Sequence, residues 1–207
     1  MDTLLLNTSN QGIFTLKQCI YSHLALEAGI NNFPGSDYSS YDKDLSKDKI
    51  VNNLHKLFKY CINPIYNQFK NIGLSSVYRN KRLNELLGGV EYSQHIYGYA
   101  ADIVSTNPYV STSQIWNWCK LNLPLYHQLI WEYPERGVYS NLPENISSSN
   151  SFSWIHISFI EGNNFKENSV SSLDPKIHNF YKDESLYTIG DFTHGIKKAN
   201  EELVNPE

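Results

Sequence analysis

Apolar residues recur at a four-residue step near the start of the chain, at Leu16, Ile20, Leu24 and Ala28. This spacing predicts a helix over residues 15–30, with Thr15 as its N-cap and Gly29 as its stop. Residues 31–46 hold Pro34, Gly35 and a run of Ser, Asp and Tyr, which predicts a loop. A three-and-four spacing returns at Ile50, Leu54, Leu57, Phe58, Cys61, Ile65 and Phe69. It predicts a second helix over residues 50–69, kinked or divided by Pro64. Beyond Gly73 the period shortens. Residues 74–78 read as a short strand, and residues 81–87 as a helical turn ended by Gly88 and Gly89. Residues 113–120 read as a helix packed on a sheet. Two aromatic and β-branched segments bounded by turn formers, residues 126–133 and 152–159, read as strands. The Ser- and Asn-rich stretch between them, residues 141–151, is expected to be mobile, and the tail is expected to end in a helix over residues 195–204. The fold class is α+β, a small antiparallel sheet flanked by N-terminal helices.

Composition narrows the function. The 207 residues are 41% hydrophobic and 18% charged, with 17 basic against 21 acidic side chains and a formal charge of -4. Such a chain can bury a core without disulfides. Its field repels a polyanion, so no nucleic-acid partner is expected. Cys19, Cys61 and Cys119 are odd in number and far apart, which argues against a disulfide framework and a thiolate zinc knot. No membrane span and no export signal are read.

The segment Ser93-Gln94-His95-Ile96-Tyr97-Gly98-Tyr99-Ala100-Ala101-Asp102 carries the chemistry. A His and an Asp seven apart say little alone, since such pairs are usually hydrogen-bonding partners. His156 changes the balance, because it lies inside the apolar run Trp154-Ile155-His156, where an unpaired imidazole is costly to bury. Two imidazoles and one carboxylate suit Zn²⁺ as three protein ligands with a fourth position open for water. Gly98, Ala100 and Ala101 fit a chain that turns close to a metal, where side chains have little room.

The pattern Ser-x-His-x-x-Gly-x-Ala-x-Asp followed by Trp-x-His resembles the zinc D-Ala-D-Ala carboxypeptidase and L-Ala-D-Glu endopeptidase family, which cleaves bacterial cell-wall peptides. Ser76-Val77-Tyr78-Arg79-Asn80, Leu83-Asn84 and Gly88-Gly89 resemble its Ser-x-Tyr-Arg…Leu-Asn…Gly-Gly stretch. Residues 22–34 and 53–64 resemble the N-terminal helices of its phage and prophage branch. The resemblance covers roughly residues 14–160. It implies one Zn²⁺ per chain on His95, Asp102 and His156, with the sheet as its platform. It also implies that Arg79 holds a substrate carboxylate or polarises the scissile carbonyl, a task suited to a planar guanidinium. Ser93 and Gln94 are candidate substrate contacts; otherwise Ser93 caps a turn and Gln94 faces water.

Many relatives have a carboxylate or His three residues before the last ligand, where this chain has Ser153. Glu132, ending Gln128-Leu129-Ile130-Trp131-Glu132, is the substitute. It serves as the general base or as an acceptor that orients His95 or His156. His127 reads as a structural hydrogen-bonding residue. Tyr99 stands where relatives often carry a basic residue.

The implied activity is hydrolysis of peptidoglycan stem peptides by a phage endolysin or virion-associated lysin, with virion or lysis-system partners. It would lie in the host cytoplasm before lysis or in the virion. The alternative is an impaired peptidase-like zinc domain serving as a binding or virion assembly module. Residues 1–165 are expected to form the peptidase domain, with a helical part over 14–70 and a catalytic core over 71–160. Residues 166–207 form an extension of unknown role.

Overall fold

The computed structural model describes residues 14–132, 153–164, 166–171 and 187–190. Its first two helices are α1, Leu16–Ile20, and α2, His23–Glu27, in place of the single helix expected over residues 15–30. The sequence contains two caps. Thr15 and Gln18 form a capping box at α1, and Ser22 accepts from the Ala25 N–H to start α2. A serine hydroxyl that can cap competes with helix continuation. Tyr21 is extended, and the chain turns there.

The second helical region matches the expected span but does not break at Pro64. Helix α3, Lys47–Leu57, runs through a π-turn, Phe58–Ile62, into α4, Asn63–Phe69. The Asn63 N–H reaches back to the Phe58 carbonyl, and Pro64 sits in the first turn of α4. A wide turn directly before a residue with no N–H lets the helix absorb the proline. The stripe Ile50, Leu54, Leu57, Phe58, Cys61, Ile62 and Ile65 is fully buried along this rod.

A 3-10 turn, Lys43–Leu45, precedes α3, and the remaining elements are β1 (Ile72–Ser76), α5 (Lys81–Leu86), β2 (Ala100–Ser105), α6 (Thr112–Asn122), β3 (Gln128–Glu132), β4 (Trp154–Ser158), β5 (Glu167–Ser171) and β6 (Tyr187–Gly190). The six strands form one sheet in the order β1-β2-β4-β3-β5-β6. The first four strands pair antiparallel, as expected for this α+β class. Strands β5 and β6 add in parallel beyond β3, which the sequence pattern does not suggest. The stretches expected as a mobile loop (141–151) and a terminal helix (195–204) lie outside the described residues.

Side chains alternate across a strand, and the register divides the sheet into two chemistries. Asp102 pairs with His156, His156 with Ile130, and Trp154 with Glu132, so these residues share one face. Ala101, Ile103, Leu129, Trp131, Ile155 and Ile157 occupy the other face. They join the α3–α4 rod and Ile115, Trp116 and Cys119 of α6 in the main core. The three cysteines are buried free thiols. No described helix is long and apolar enough to cross a membrane.

Candidate metal centre

Three elements bring the predicted ligands together. Asp102 and His156 face each other on β2 and β4. Opposite Asp102, β1 bulges between Leu74 and Ser76, and the Ser75 hydroxyl donates to the Asp102 carbonyl at 3.1 Å. Such a bulge re-aims local side chains. His95 arrives on the turn before β2, whose Ser93 and Gln94 carbonyls accept from Ile96 and Tyr99. Gly98 closes that turn at φ 72, and a Cβ there would lie 2.8 Å from the Ile50 carbonyl oxygen. Its role is therefore close approach to α3, not clearance beside a metal as the sequence suggested.

The donor atoms form a small triangle. His95 Nε2 lies 3.2 Å from His156 Nδ1 and 3.3 Å from Asp102 Oδ1, and His156 Nδ1 lies 3.0 Å from Asp102 Oδ1. His95, Asp102 and His156 are all buried and form a group that could hold a metal ion among the described residues. Tetrahedral donors at ~2.0–2.1 Å from a zinc ion are separated by about 3.3–3.4 Å. The observed edges, 3.0–3.3 Å, lie at or a few tenths of an ångström below that figure.

Each outward nitrogen has an acceptor. His95 Nδ1–H donates to the Val77 carbonyl at 2.6 Å, and His156 Nε2–H donates to Gln94 Oε1 at 3.3 Å. In the neutral rings, His95 Nε2 and His156 Nδ1 thus carry lone pairs into the triangle beside a carboxylate oxygen. Three acceptors converge with no proton among them, an arrangement that calls for a cation. Burial, helped by Arg79, lowers the His95 pKa to about 4, so its ring is neutral at pH 7.

Around the triangle stand three polar groups with unsatisfied atoms. Among the described residues, Arg79 Nε, Gln94 Nε2 and Glu132 Oε2 are buried without a hydrogen-bond partner. Burial and the Asp102 carboxylate push Glu132 well above the ordinary range, against the pull of Arg79 and a Trp154 hydrogen bond. Burial lowers the Arg79 pKa while Asp102 and Glu132 raise it. The guanidinium lies in the field of both carboxylates.

Several residues fall differently from expectation. Val77 and Gln94 fill the positions that orient the two imidazoles, so neither outward nitrogen meets Glu132. Gln94 is buried against His156 and does not face water. The buried Ser93 sits in the turn, with its carbonyl accepting from Ile96. Ser153 accepts from the Trp131 indole at 2.8 Å and donates to the Glu132 carbonyl at 3.0 Å, which ties β3 to β4. His127 Nδ1–H donates to the Asn163 carbonyl, and His23 is exposed beside Glu27. His178 and His194 lie outside the described residues. Asn84 explains the Leu-Asn…Gly-Gly stretch: its amide donates to the Val90 carbonyl, and a Cβ at Gly89 would sit 2.3 Å from its oxygen.

A buried His-Asp-His triangle on an α+β scaffold makes a candidate metal centre. The family model described as Peptidase M15 matches residues 22–125, and the chain belongs to that family. The match takes in Arg79, His95 and Asp102, while Glu132 and His156 lie beyond it and are joined to the site by the sheet register. No curated protein sequence matches the chain.

Proposed function

We propose that this protein is a zinc-dependent peptidase that hydrolyses peptide bonds of bacterial peptidoglycan stem peptides. The observation that carries the reading is the convergence of one ligand atom each from buried His95, Asp102 and His156 at 3.0–3.3 Å, close to the spacing of zinc donors. His95, Asp102 and His156 hold one Zn²⁺, and Val77 and Gln94 keep the imidazoles aimed. A zinc ion in such a site supplies Lewis acidity and lowers the pKa of water to about 7.

The other steps belong to the chain. Glu132, on the same sheet face as His156 and buried out of bulk water, accepts the proton of the attacking water and returns it to the leaving amine. Arg79 offers its fork of donors to a substrate carboxylate or to the carbonyl oxygen as negative charge develops. Gln94 Nε2 and Ser93 are the adjoining substrate contacts. The peptidase unit is proposed to span residues 1–165, and the extension, 166–207, includes strands that continue the sheet beyond β3. A phage endolysin or virion-associated lysin is the proposed biological setting, with lysis-system or virion components as partners.

Mass spectrometry of peptidoglycan digested by the purified protein tests the reading and names the bond cut. Cleavage should vanish with Glu132→Ala while about one zinc per chain is retained. Full zinc occupancy in the wild-type protein with no muropeptide cleaved would replace the peptidase reading by a binding or assembly module. The observation that favours this second reading is Ser153, which spends its hydroxyl on Trp131 and the Glu132 carbonyl and offers no base.

A further inference from the structure

We propose that Asn32 is a positioning residue for Arg79, acting through the main chain on either side of it; the inference rests on the role given to Arg79 above. Asn32 lies in the loop after α2, in a region whose sequence suggests only a connection, yet it is 7% exposed. Its Nδ2 donates to the Tyr78 carbonyl at 3.0 Å, and its Oδ1 accepts from the Asn80 N–H at 2.7 Å. One side-chain amide therefore takes the carbonyl before Arg79 and the N–H after it, as a neighbouring strand would.

The second Nδ2 hydrogen goes to the Ile20 carbonyl at 2.9 Å, at the end of α1 where the helix breaks. Asn32 is thus anchored to α1 while it grips the Arg79 segment. The remaining bonds complete the clamp. Arg79 N–H donates to the His95 carbonyl at 3.3 Å and Tyr78 N–H to the Cys19 carbonyl at 2.9 Å. Asn80 donates through its side chain to Asn31 and Ser36, and it caps α5 through the Leu83 N–H.

The guanidinium stands at the end of a long flexible stem, and its Nε has no partner among the described residues. Its aim is therefore set by where the main chain starts it. Misplacement of a functional group by about 1 Å can cost on the order of 100-fold in rate. Loss of the Asn32 amide frees the backbone on both sides of Arg79, while the Val77 carbonyl that orients His95 lies outside the clamp.

The test is a double-mutant cycle on muropeptide cleavage with Asn32→Ala, Arg79→Ala and the pair, with zinc content and amide hydrogen exchange measured on each protein. Asn32→Ala should lower kcat/KM by about 10- to 100-fold, keep its zinc and lose exchange protection at Asn80. In the Arg79→Ala background the same change should cost less than about 2-fold. If Asn32→Ala does not fold, Asn32→Ser, which keeps one polar atom at the site, enters the cycle instead. An equal loss in both backgrounds, or no loss in either, overturns the inference and leaves the Arg79 role standing. Undiminished kcat/KM in Arg79→Ala, or a wild-type protein that cleaves nothing, overturns the reading beneath it and the inference with it.

Discussion

Glu132 shows how one side chain can be held in a costly state. It is 2% exposed, on the same face as Asp102, and its carboxyl is pushed well above its ordinary 4.5 by burial and that neighbouring charge. A carboxyl with a raised folded pKa takes up protons on folding. Its contribution to stability is complete below the unfolded pKa and is lost as pH rises toward the folded value. Glu132→Gln removes that loss while preserving shape. The metal-free Gln variant should therefore melt above the wild-type protein at pH 8, with the gap closing as pH falls toward 4.5. Equal melting temperatures across this range would mean that Glu132 does not sit in the field described. Gains in stability where a functional group is removed are expected of a site selected for activity.

At the scale of elements, the turn carrying His95 is set by its contact with α3. Gly98 supplies a positive φ of 72, and a Cβ there would press on the Ile50 carbonyl and on Leu54. Gly29 has nearly the same φ, 62, with nothing within 4 Å of its Cβ position. Gly29→Ala should therefore cost only the left-handed penalty, about 1 kcal/mol. Gly98→Ala adds a collision with backbone and should cost about 2–4 kcal/mol in urea denaturation. Similar costs at the two positions would deny the close approach. The sequence spacing was informative where an element rests on a periodic apolar stripe, as in α3, α4 and α6, and where a ligand motif is compact. It was silent where tertiary partners decide. Strand β2 opens on Ala100, Ala101 and Asp102, all poor strand formers, and pairs with β1 and β4. Strand β5, Glu-Asn-Ser-Val-Ser, has no alternation to read and owes its place to the edge of β3. The orienting contacts of Val77 and Asn32 run through backbone groups, which residue types do not advertise.

At the scale of the whole molecule, the triangle joins parts of the chain that are distant in sequence: the His95 turn seated on α3, strand β2 and strand β4. Without a cation, lone pairs of His95, His156 and Asp102 face one another within 3.3 Å in a buried site. Metal binding should therefore lock the sheet to the turn and stabilise the entire fold, because the unfolded chain cannot hold the three donors together. At a free zinc concentration 1,000 times Kd, the gain is about 4.1 kcal/mol. For a chain of 207 residues, this corresponds to a rise in Tm of about 8–16 °C. Two imidazole nitrogens with one carboxylate oxygen favour zinc over magnesium, which prefers an all-oxygen octahedron. Calorimetric melting should thus show the rise with Zn²⁺, its reversal by EDTA and no comparable rise with Mg²⁺. His156→Ala should abolish the zinc response, while His23→Ala, at an exposed pair with Glu27, should retain it. A zinc-dependent rise that survives loss of His156 would move the metal away from the triangle, and with it the chemistry assigned to Arg79 and Glu132.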